Sequence, residues 1–230
     1  MDARHLFIAA ISACSVVAAH AVDMAVVPLP TPVTDRTLSY GGRSMTLPEG
    51  QWSVVSRAEG SITQDVIMHV RPHTTVYAAD VNNGRLRAGV VLRMAEASVP
   101  VRYWKEKPCE DVQGEIYKEE LSPQPHFPEC VAVWKRKGHL YGSMSAFYAQ
   151  AAQWMDGAKI GHKGGFYELY YSRNAANDFG SIRVFVPVST FASDADAVAW
   201  ARQLPGALQR LFERRDTTGA LPPLPAPVKP

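Results

Sequence analysis

Several absences narrow the functions open to this 230-residue chain. Charge of one sign is not in excess, since 24 Lys and Arg balance 22 Asp and Glu and leave a formal net charge of +2. The chain therefore lacks the dense basic character that makes nucleic acid the expected partner. It also lacks an apolar run of the roughly 20 residues that a membrane-spanning helix needs. The 47% hydrophobic and 20% charged content is that of an ordinary globular protein.

The sequence also lacks the short motifs of the common enzyme classes. It has no Walker-type phosphate loop, no G-x-G-x-x-G, no G-x-S-x-G, no S-x-x-K, no H-E-x-x-H, no C-x-x-C and no calcium loop. Enzymes that carry such motifs are disfavoured, whereas an enzyme with dispersed catalytic residues stays open. His69 and His73 are four residues apart in a predicted strand that also contains Pro72. Four residues of a strand span about 13 Å, so the two imidazole rings do not reach one zinc ion. We expect neither a metal site nor a cofactor.

The first 21 residues have the layout of a secretory signal peptide. A positively charged start precedes an apolar run from Leu6 to Ala19, and Ala19-His20-Ala21 forms a small-x-small cleavage site. This pattern predicts export, to the periplasm or outside the cell. The mature chain would begin at Val22 and carry no transmembrane segment.

Cysteine is scarce, with three in the whole chain. Cleavage after Ala21 removes Cys14 and leaves Cys109 and Cys130, an even number that predicts a disulfide in an exported protein. Ile11-Ser12-Ala13-Cys14 resembles the lipobox of bacterial lipoproteins, in which the cysteine is acylated. This resemblance implies the alternative of a lipid anchor at Cys14.

Alternating apolar and polar residues predict antiparallel strands along most of the chain. The clearest pair is residues 62–81, interrupted near Arg71-Pro72, and residues 85–95, joined by Asn82-Asn83-Gly84. The other predicted strands are residues 38–40, 44–47, 131–134, 166–172 and 181–188.

Two segments change to the helical period. Apolar residues from Met144 to Met155 predict one helix that Gly157 ends, and Ser193 caps a second helix that Pro205-Gly206 kinks or splits. The fold class is therefore α+β, a mostly antiparallel sheet with two amphipathic helices on one face and one disulfide-closed loop. The predicted organisation is a signal peptide at 1–21, an extended proline-containing segment at 22–36, one domain at 37–215 and a disordered proline-rich tail at 216–230.

Four arginines and one glutamate are the candidate ligand-binding residues. Arg85, Arg87 and Arg93 lie on the polar face of the 85–95 strand, with Arg71 on the preceding strand, where they suit a carboxylate or phosphate. Glu168 lies between Tyr167 and Leu169 in a predicted strand. The alternative is that the arginines only keep an exposed sheet soluble.

Aromatic residues concentrate in the central third of the chain and suit either the core or a surface that stacks on sugar rings or a partner. Tyr170 and Tyr171 face opposite sides of their strand, so these aromatics do not all share one core.

These features predict a non-catalytic exported module that binds an envelope protein, a glycan or a small molecule. Two alternatives stay open: a small exported hydrolase or transferase in which Glu168, His139 or His162 and an arginine converge, and an assembly or secretion accessory protein.

Overall fold

The computed structural model describes most of the chain beyond the predicted signal peptide. The described residues are 21–64, 69–96, 104, 107–110, 113–122, 127–137, 145–161, 164–176 and 178–226, without the side chains of 62–64 and 69–71. Several predictions fall on residues outside these ranges: signal-peptide cleavage, the lipobox at Cys14, Met144 of the first helix, and the histidine candidates His139 and His162.

Twelve strands and three α-helices form the described part of the fold. The strands are β1 (Val22–Asp23), β2 (Thr31–Pro32), β3 (Thr37–Tyr40), β4 (Arg43–Thr46), β5 (Trp52–Gln64), β6 (His69–Asn82), β7 (Arg85–Ala95), β8 (Tyr117–Ser122), β9 (Glu129–Arg136), β10 (Phe166–Asn174), β11 (Phe179–Pro187) and β12 (Thr218–Ala220). The helices are α1 (Ala146–Gly157), α2 (Asp194–Ala201) and α3 (Leu204–Phe212), and a 3-10 turn spans Val188–Thr190.

A large antiparallel sheet dominates the structure, which confirms the mostly antiparallel α+β fold class. Its eight strands run in the order β2-β5-β6-β7-β11-β10-β9-β8, and every neighbouring pair is antiparallel. A second sheet has the order β1-β3-β4-β12, in which β3 and β4 form a hairpin and the two outer pairings are parallel. Gly41 and Gly42 both adopt positive φ at the turn of that hairpin, a conformation that glycine allows.

The helices lie on opposite faces of the large sheet, so the prediction of two helices on one face is wrong. On one face, which we call the α1 face, Ala151 and Met155 of α1 pack with Val55, Tyr77 and Phe185. On the other face, the α2–α3 face, both remaining helices cover the largest apolar cluster. Helical periodicity identifies which side chains are buried, but it does not say against which side of a sheet they pack.

The strand between residues 62 and 81 is two strands rather than one. β5 ends at Gln64 and β6 begins at His69, and the two pair with each other from Trp52 opposite Asp80 to Gln64 opposite His69. The predicted pairing of β6 with β7 through Asn82-Asn83-Gly84 is confirmed.

Alternation predicts that Leu86, Ala88, Val90, Leu92 and Met94 share one face of β7, but Leu86 lies on the other face. A register shift makes Leu86 the partner of Val81 and Ala88 the partner of Asp80, so Arg87 is an extra residue between them. Leu86 consequently packs in the α1-face cluster, whereas Ala88, Val90, Leu92 and Met94 pack in the main core.

The segment after β11 follows the sequence signals closely. Ser193 caps α2, and its side chain accepts a hydrogen bond from the backbone N–H of Asp196. The predicted second helix is split into α2 and α3, with Pro205 in the first turn of α3, where a missing N–H costs no helical hydrogen bond.

The predicted disulfide is present between Cys109 and Cys130, whose Cα atoms are 5.4 Å apart. Cys130 lies in β9 and Cys109 packs with Ala132, Trp134 and Tyr170 on the α1 face. The bond therefore fastens the loop before β8 to the large sheet. No helix in the described ranges is long and apolar enough to cross a membrane.

The start of the predicted tail is folded onto the protein, in contrast to the expectation of disorder at 216–230. β12 pairs in parallel with β4, and the backbone N–H of Leu221 donates to the carbonyl of Thr46. Leu221 is 6% exposed and belongs to the main core. Leu221 and Leu224, which lie among the prolines, pack against the main core. The proline-rich composition of the segment does not indicate this apolar contact.

Candidate functional site

A groove of about 290 Å³ opens on the α1 face, where β7, β11 and β10 pass beside the first turn of α1. Its lining residues are Ala58, His73, Thr75, Val91, Arg93, Phe147, Tyr148, Tyr170, Ser181 and Arg183. This set combines two guanidinium groups with three aromatic rings, and no carboxylate belongs to it.

The strand register brings the polar lining residues together. Arg93 of β7 lies opposite Thr75 of β6 on one side and Ser181 of β11 on the other. Arg183, two residues further along β11, lies opposite Tyr170 of β10. Because side chains two residues apart on a strand share a face, this alternation places both arginines on the α1 face.

The two arginines have different surroundings. Nε of Arg93 donates a hydrogen bond to Oγ of Ser181 (3.2 Å), and the Arg93 guanidinium lies 5.4 Å from the centre of the Phe179 ring. The Arg183 guanidinium lies over Tyr170 at 4.7 Å and over Trp134 at 5.9 Å. Such cation–π contacts hold a guanidinium group flat against an aromatic ring.

Glu168 lies beside the groove and is bracketed by two arginines. Its carboxylate forms ion pairs with Arg183 of β11 and, at 3.3 Å, with Arg136 of β9. Glu168 itself is 7% exposed, so the two guanidinium groups compensate a charge that would otherwise be buried alone. The Arg136 guanidinium also lies 5.2 Å from the Trp134 ring.

Electrostatics keep Arg183 charged and Tyr148 neutral. Burial is the largest single effect and by itself would lower the pKa of Arg183, but the charge of Glu168, the hydrogen bond to it and the neighbouring Tyr170 and Tyr148 together outweigh burial, and the pKa is raised. Burial raises the pKa of the Tyr148 phenol above its ordinary value. The groove therefore offers positive charge and neutral hydrogen-bonding groups near neutral pH.

Hydrogen bonds fix one wall of the groove and the ring beside Arg183. At the wall formed by α1, Oγ of Ser56 donates to the carbonyl of Phe147 (2.7 Å), which holds the start of α1 on β5. Trp134 does not line the groove, but its ring lies beside the Arg183 guanidinium, and its Nε1 donates to the carbonyl of Gln113 (3.0 Å) in the segment that the disulfide closes. Such fixed contacts reduce the conformational entropy that ligand binding would otherwise cost.

The structure brings some of the candidate residues together and separates others. Arg93 lines the groove and Glu168 adjoins it through Arg183. Arg87 instead pairs with the buried carboxylate of Asp80 at 2.5 Å, which fixes the β6–β7 bulge. Arg85 lines a separate cavity of about 420 Å³. The strand position of Arg71 is opposite Ile62 in β5, and its side chain lies outside the description.

Sequence reasoning missed Arg183 and Arg136. Arg183 lies within the predicted strand 181–188 and Arg136 follows the predicted strand 131–134, and neither belongs to the arginine-rich 85–95 segment. Ser181 and Arg183 alternate with apolar residues on β11, as Arg93 does on β7. The polar position of Arg183 between two apolar neighbours was therefore the available signal. Recognising that β11 lies next to β7 requires the sheet order.

Metal chemistry receives no support from the described side chains. Among them, no group of three or more His, Cys, Asp and Glu residues is arranged to hold a metal ion.

Comparison with known proteins gives no further assignment. No protein-family model, no curated protein and no solved structure matches this chain.

Proposed function

We propose that this protein is a non-catalytic exported binding module whose groove holds a small anionic ligand with a ring that presents an apolar face, such as an acidic sugar. The observation that carries the proposal is the convergence of Arg93 and Arg183 with Tyr148 and Tyr170 around one groove. Guanidinium groups bind carboxylates and phosphates through paired hydrogen bonds, and aromatic rings pack against the apolar C–H faces of sugars.

The size and charge of the groove support a small ligand. Its volume of about 290 Å³ lies just below the range for small-molecule sites, roughly 300 to 1,000 Å³, so the ligand should be small. Polar groups that fix orientation are present as well, since Ser181 and Thr75 contribute hydroxyl groups to the lining.

Export remains part of the proposal. The amino-terminal sequence pattern favours it, and the disulfide between Cys109 and Cys130 is compatible with an oxidising compartment. An acidic glycan of the cell envelope would be accessible to the groove there.

Binding of glucuronate compared with glucose tests the proposal, because the two sugars differ in the carboxylate. We expect glucuronate, and not glucose, to shift the indole NMR signal of Trp134 in a saturable and salt-sensitive manner. Arg93→Met and Arg183→Met should each weaken this binding at least about tenfold, the loss expected for a charge-assisted hydrogen bond.

Arg85→Met is the matched control, because Arg85 begins the same strand as Arg93 but lines another cavity. It should bind glucuronate as the unaltered protein does. Equal binding of both sugars, or equal loss in all three variants, would contradict an anion site in the groove.

The hydrolase or transferase hypothesis stays a prediction. Its histidine candidates, His139 and His162, lie outside the described residues. Its carboxylate, Glu168, is paired with two arginines. This arrangement supports a role for Glu168 as the charge partner of Arg183.

A further inference from the structure

The proline-rich segment after β12 is bound like a ligand on the α2–α3 face, remote from the groove. Residues 221–226 carry no helix or strand and continue the line of β12. Leu221 and Pro222 are buried, Leu224 is partly buried, and Pro223, Pro225 and Ala226 are exposed. Leu221 and Leu224 both contact the main core. Their spacing of three residues matches one turn of a polyproline II helix.

Trp200 of α2 recognises the backbone of this segment. Its indole Nε1 donates a hydrogen bond of 2.8 Å to the carbonyl of Pro223. The ring is 5% exposed and packs beside Phe191, with ring centres 6.4 Å apart. An aromatic ring that donates to a carbonyl of a proline-rich segment, with apolar contacts beside it, is the arrangement by which proline-rich peptides are recognised in general.

We infer that the surface formed by Trp200, Phe191 and the neighbouring core is a recognition site for proline-rich segments with two leucines three residues apart. The chain's own residues 221–226 occupy it in this structure. A proline-rich segment of a partner protein fits the same surface in place of the tail. This site is independent of the proposed anion groove, which lies on the opposite face of the sheet.

The occupant follows from the contacts that the surface offers. The hydrogen bond reads a backbone carbonyl, which is exposed in a polyproline II helix because such a helix has no internal hydrogen bonds. The two leucines fill apolar contacts in the core, Leu221 completely and Leu224 in part. A segment that lacks either the extended backbone or the leucine spacing would lose one of these interactions.

The test uses the full chain with the change L224D, which removes the outer apolar anchor of the tail. A fluorescently labelled peptide with the sequence of residues 219–226 is titrated into this variant and followed by anisotropy. We expect saturable binding to L224D and at least about tenfold weaker binding to the unaltered chain, because a tethered tail competes at a high effective concentration. A226D, which changes an exposed residue of the same tail, should behave like the unaltered chain.

Trp200→Phe in the L224D background keeps an aromatic ring and removes the indole N–H. Binding should weaken by about two- to tenfold, the loss expected for one hydrogen bond, and a control peptide in which both leucines are aspartate should not bind. The indole NMR signal of Trp200 reports whether L224D releases the tail. If the signal does not move, the same titration is made with L221D/L224D after circular dichroism has shown that this variant is folded.

A folded, tail-released variant that does not bind the peptide overturns the inference, as does binding that Trp200→Phe leaves unchanged.

Discussion

The ring of Phe212, at the end of α3, covers the backbone of Gly180 in β11 so closely that a Cβ atom would overlap three carbons of the ring. The same ring stacks on Tyr171 of β10, with centres 5.7 Å apart and planes inclined by 13°. A residue without a side chain therefore lets α3 rest directly on two neighbouring strands.

Gly180→Ala should lower the free energy of unfolding by about 1 to 3 kcal/mol, the usual cost of overpacking a filled core. The matched control is Gly206→Ala in α3, where an added Cβ meets no atom within 4 Å. That control should raise stability by roughly 0.5 to 1 kcal/mol, since alanine favours a helix over glycine. Denaturant unfolding of the three proteins measures both effects, and equal stability of Gly180→Ala and the unaltered protein would contradict the packing argument.

The second prediction concerns the docked tail. Leu221→Ala should reduce the free energy of unfolding by about 2 to 4 kcal/mol, because it truncates a leucine that is 6% exposed in the main core. Ala226→Ser, at an exposed position of the same segment, should change it by less than about 0.5 kcal/mol. Melting temperatures that do not distinguish the two variants would restore the expectation of a disordered tail.

The tail also shows where reading the sequence reached its limit. Periodicity located β7, β10, β11 and the helices, because each repeats its apolar residues every two or every 3.6 positions. Leu221 and Leu224 repeat every three positions among prolines, a pattern equally typical of disordered linkers. What makes this segment ordered is Trp200, more than twenty residues earlier in the chain.

The groove was predictable only in part for a related reason. Alternation of polar and apolar residues placed Arg93 on a polar face. The pairing of β7 with β11 brings Arg183 beside it, and the pairing of β10 with β9 brings Arg136 to Glu168. These pairings join segments about ninety and thirty residues apart, so local patterns do not reveal them.

The third prediction concerns alkaline pH. Burial, followed by the negative charge of Glu129 and the hydrogen bond to it (2.8 Å), raises the pKa of Tyr171 far above the ordinary value of 10.0. The folded chain keeps this proton while the unfolded chain loses it, so stability should fall as pH rises above 10, by up to about 1.4 kcal/mol per pH unit.

Tyr171→Phe removes this contribution, and its stability should decline less steeply above pH 10 than that of the unaltered protein. At pH 8 the variant should be about 1 kcal/mol less stable, because Glu129 loses a hydrogen-bond donor. Guanidinium unfolding at pH 8, 10 and 11 gives both values. Parallel declines for the two proteins would show that Tyr171 does not hold its proton in the fold.

The fourth prediction concerns the disulfide. Cys109→Ser with Cys130→Ser should lower the free energy of unfolding by about 2 to 4 kcal/mol, because the bond closes a loop of 21 residues. It should also loosen the contact between Trp134 and Gln113, which shows as a shift of the Trp134 indole NMR signal. Alkylation of the denatured, unreduced chain should modify neither Cys109 nor Cys130, and labelling of either would contradict the bond.

The fifth prediction concerns Glu168 and rests on the proposed anion groove. The carboxylate pairs with Arg183 and so competes with an anionic ligand for the same guanidinium. Glu168→Gln should therefore raise the affinity for glucuronate by about two- to fivefold, the range expected for a partly exposed ion pair. Glu59→Gln removes an exposed acid that pairs with Arg57 on β5 and should leave the affinity unchanged. If Glu168→Gln weakens binding while circular dichroism shows an intact fold, Glu168 positions Arg183 for the ligand and does not compete with it.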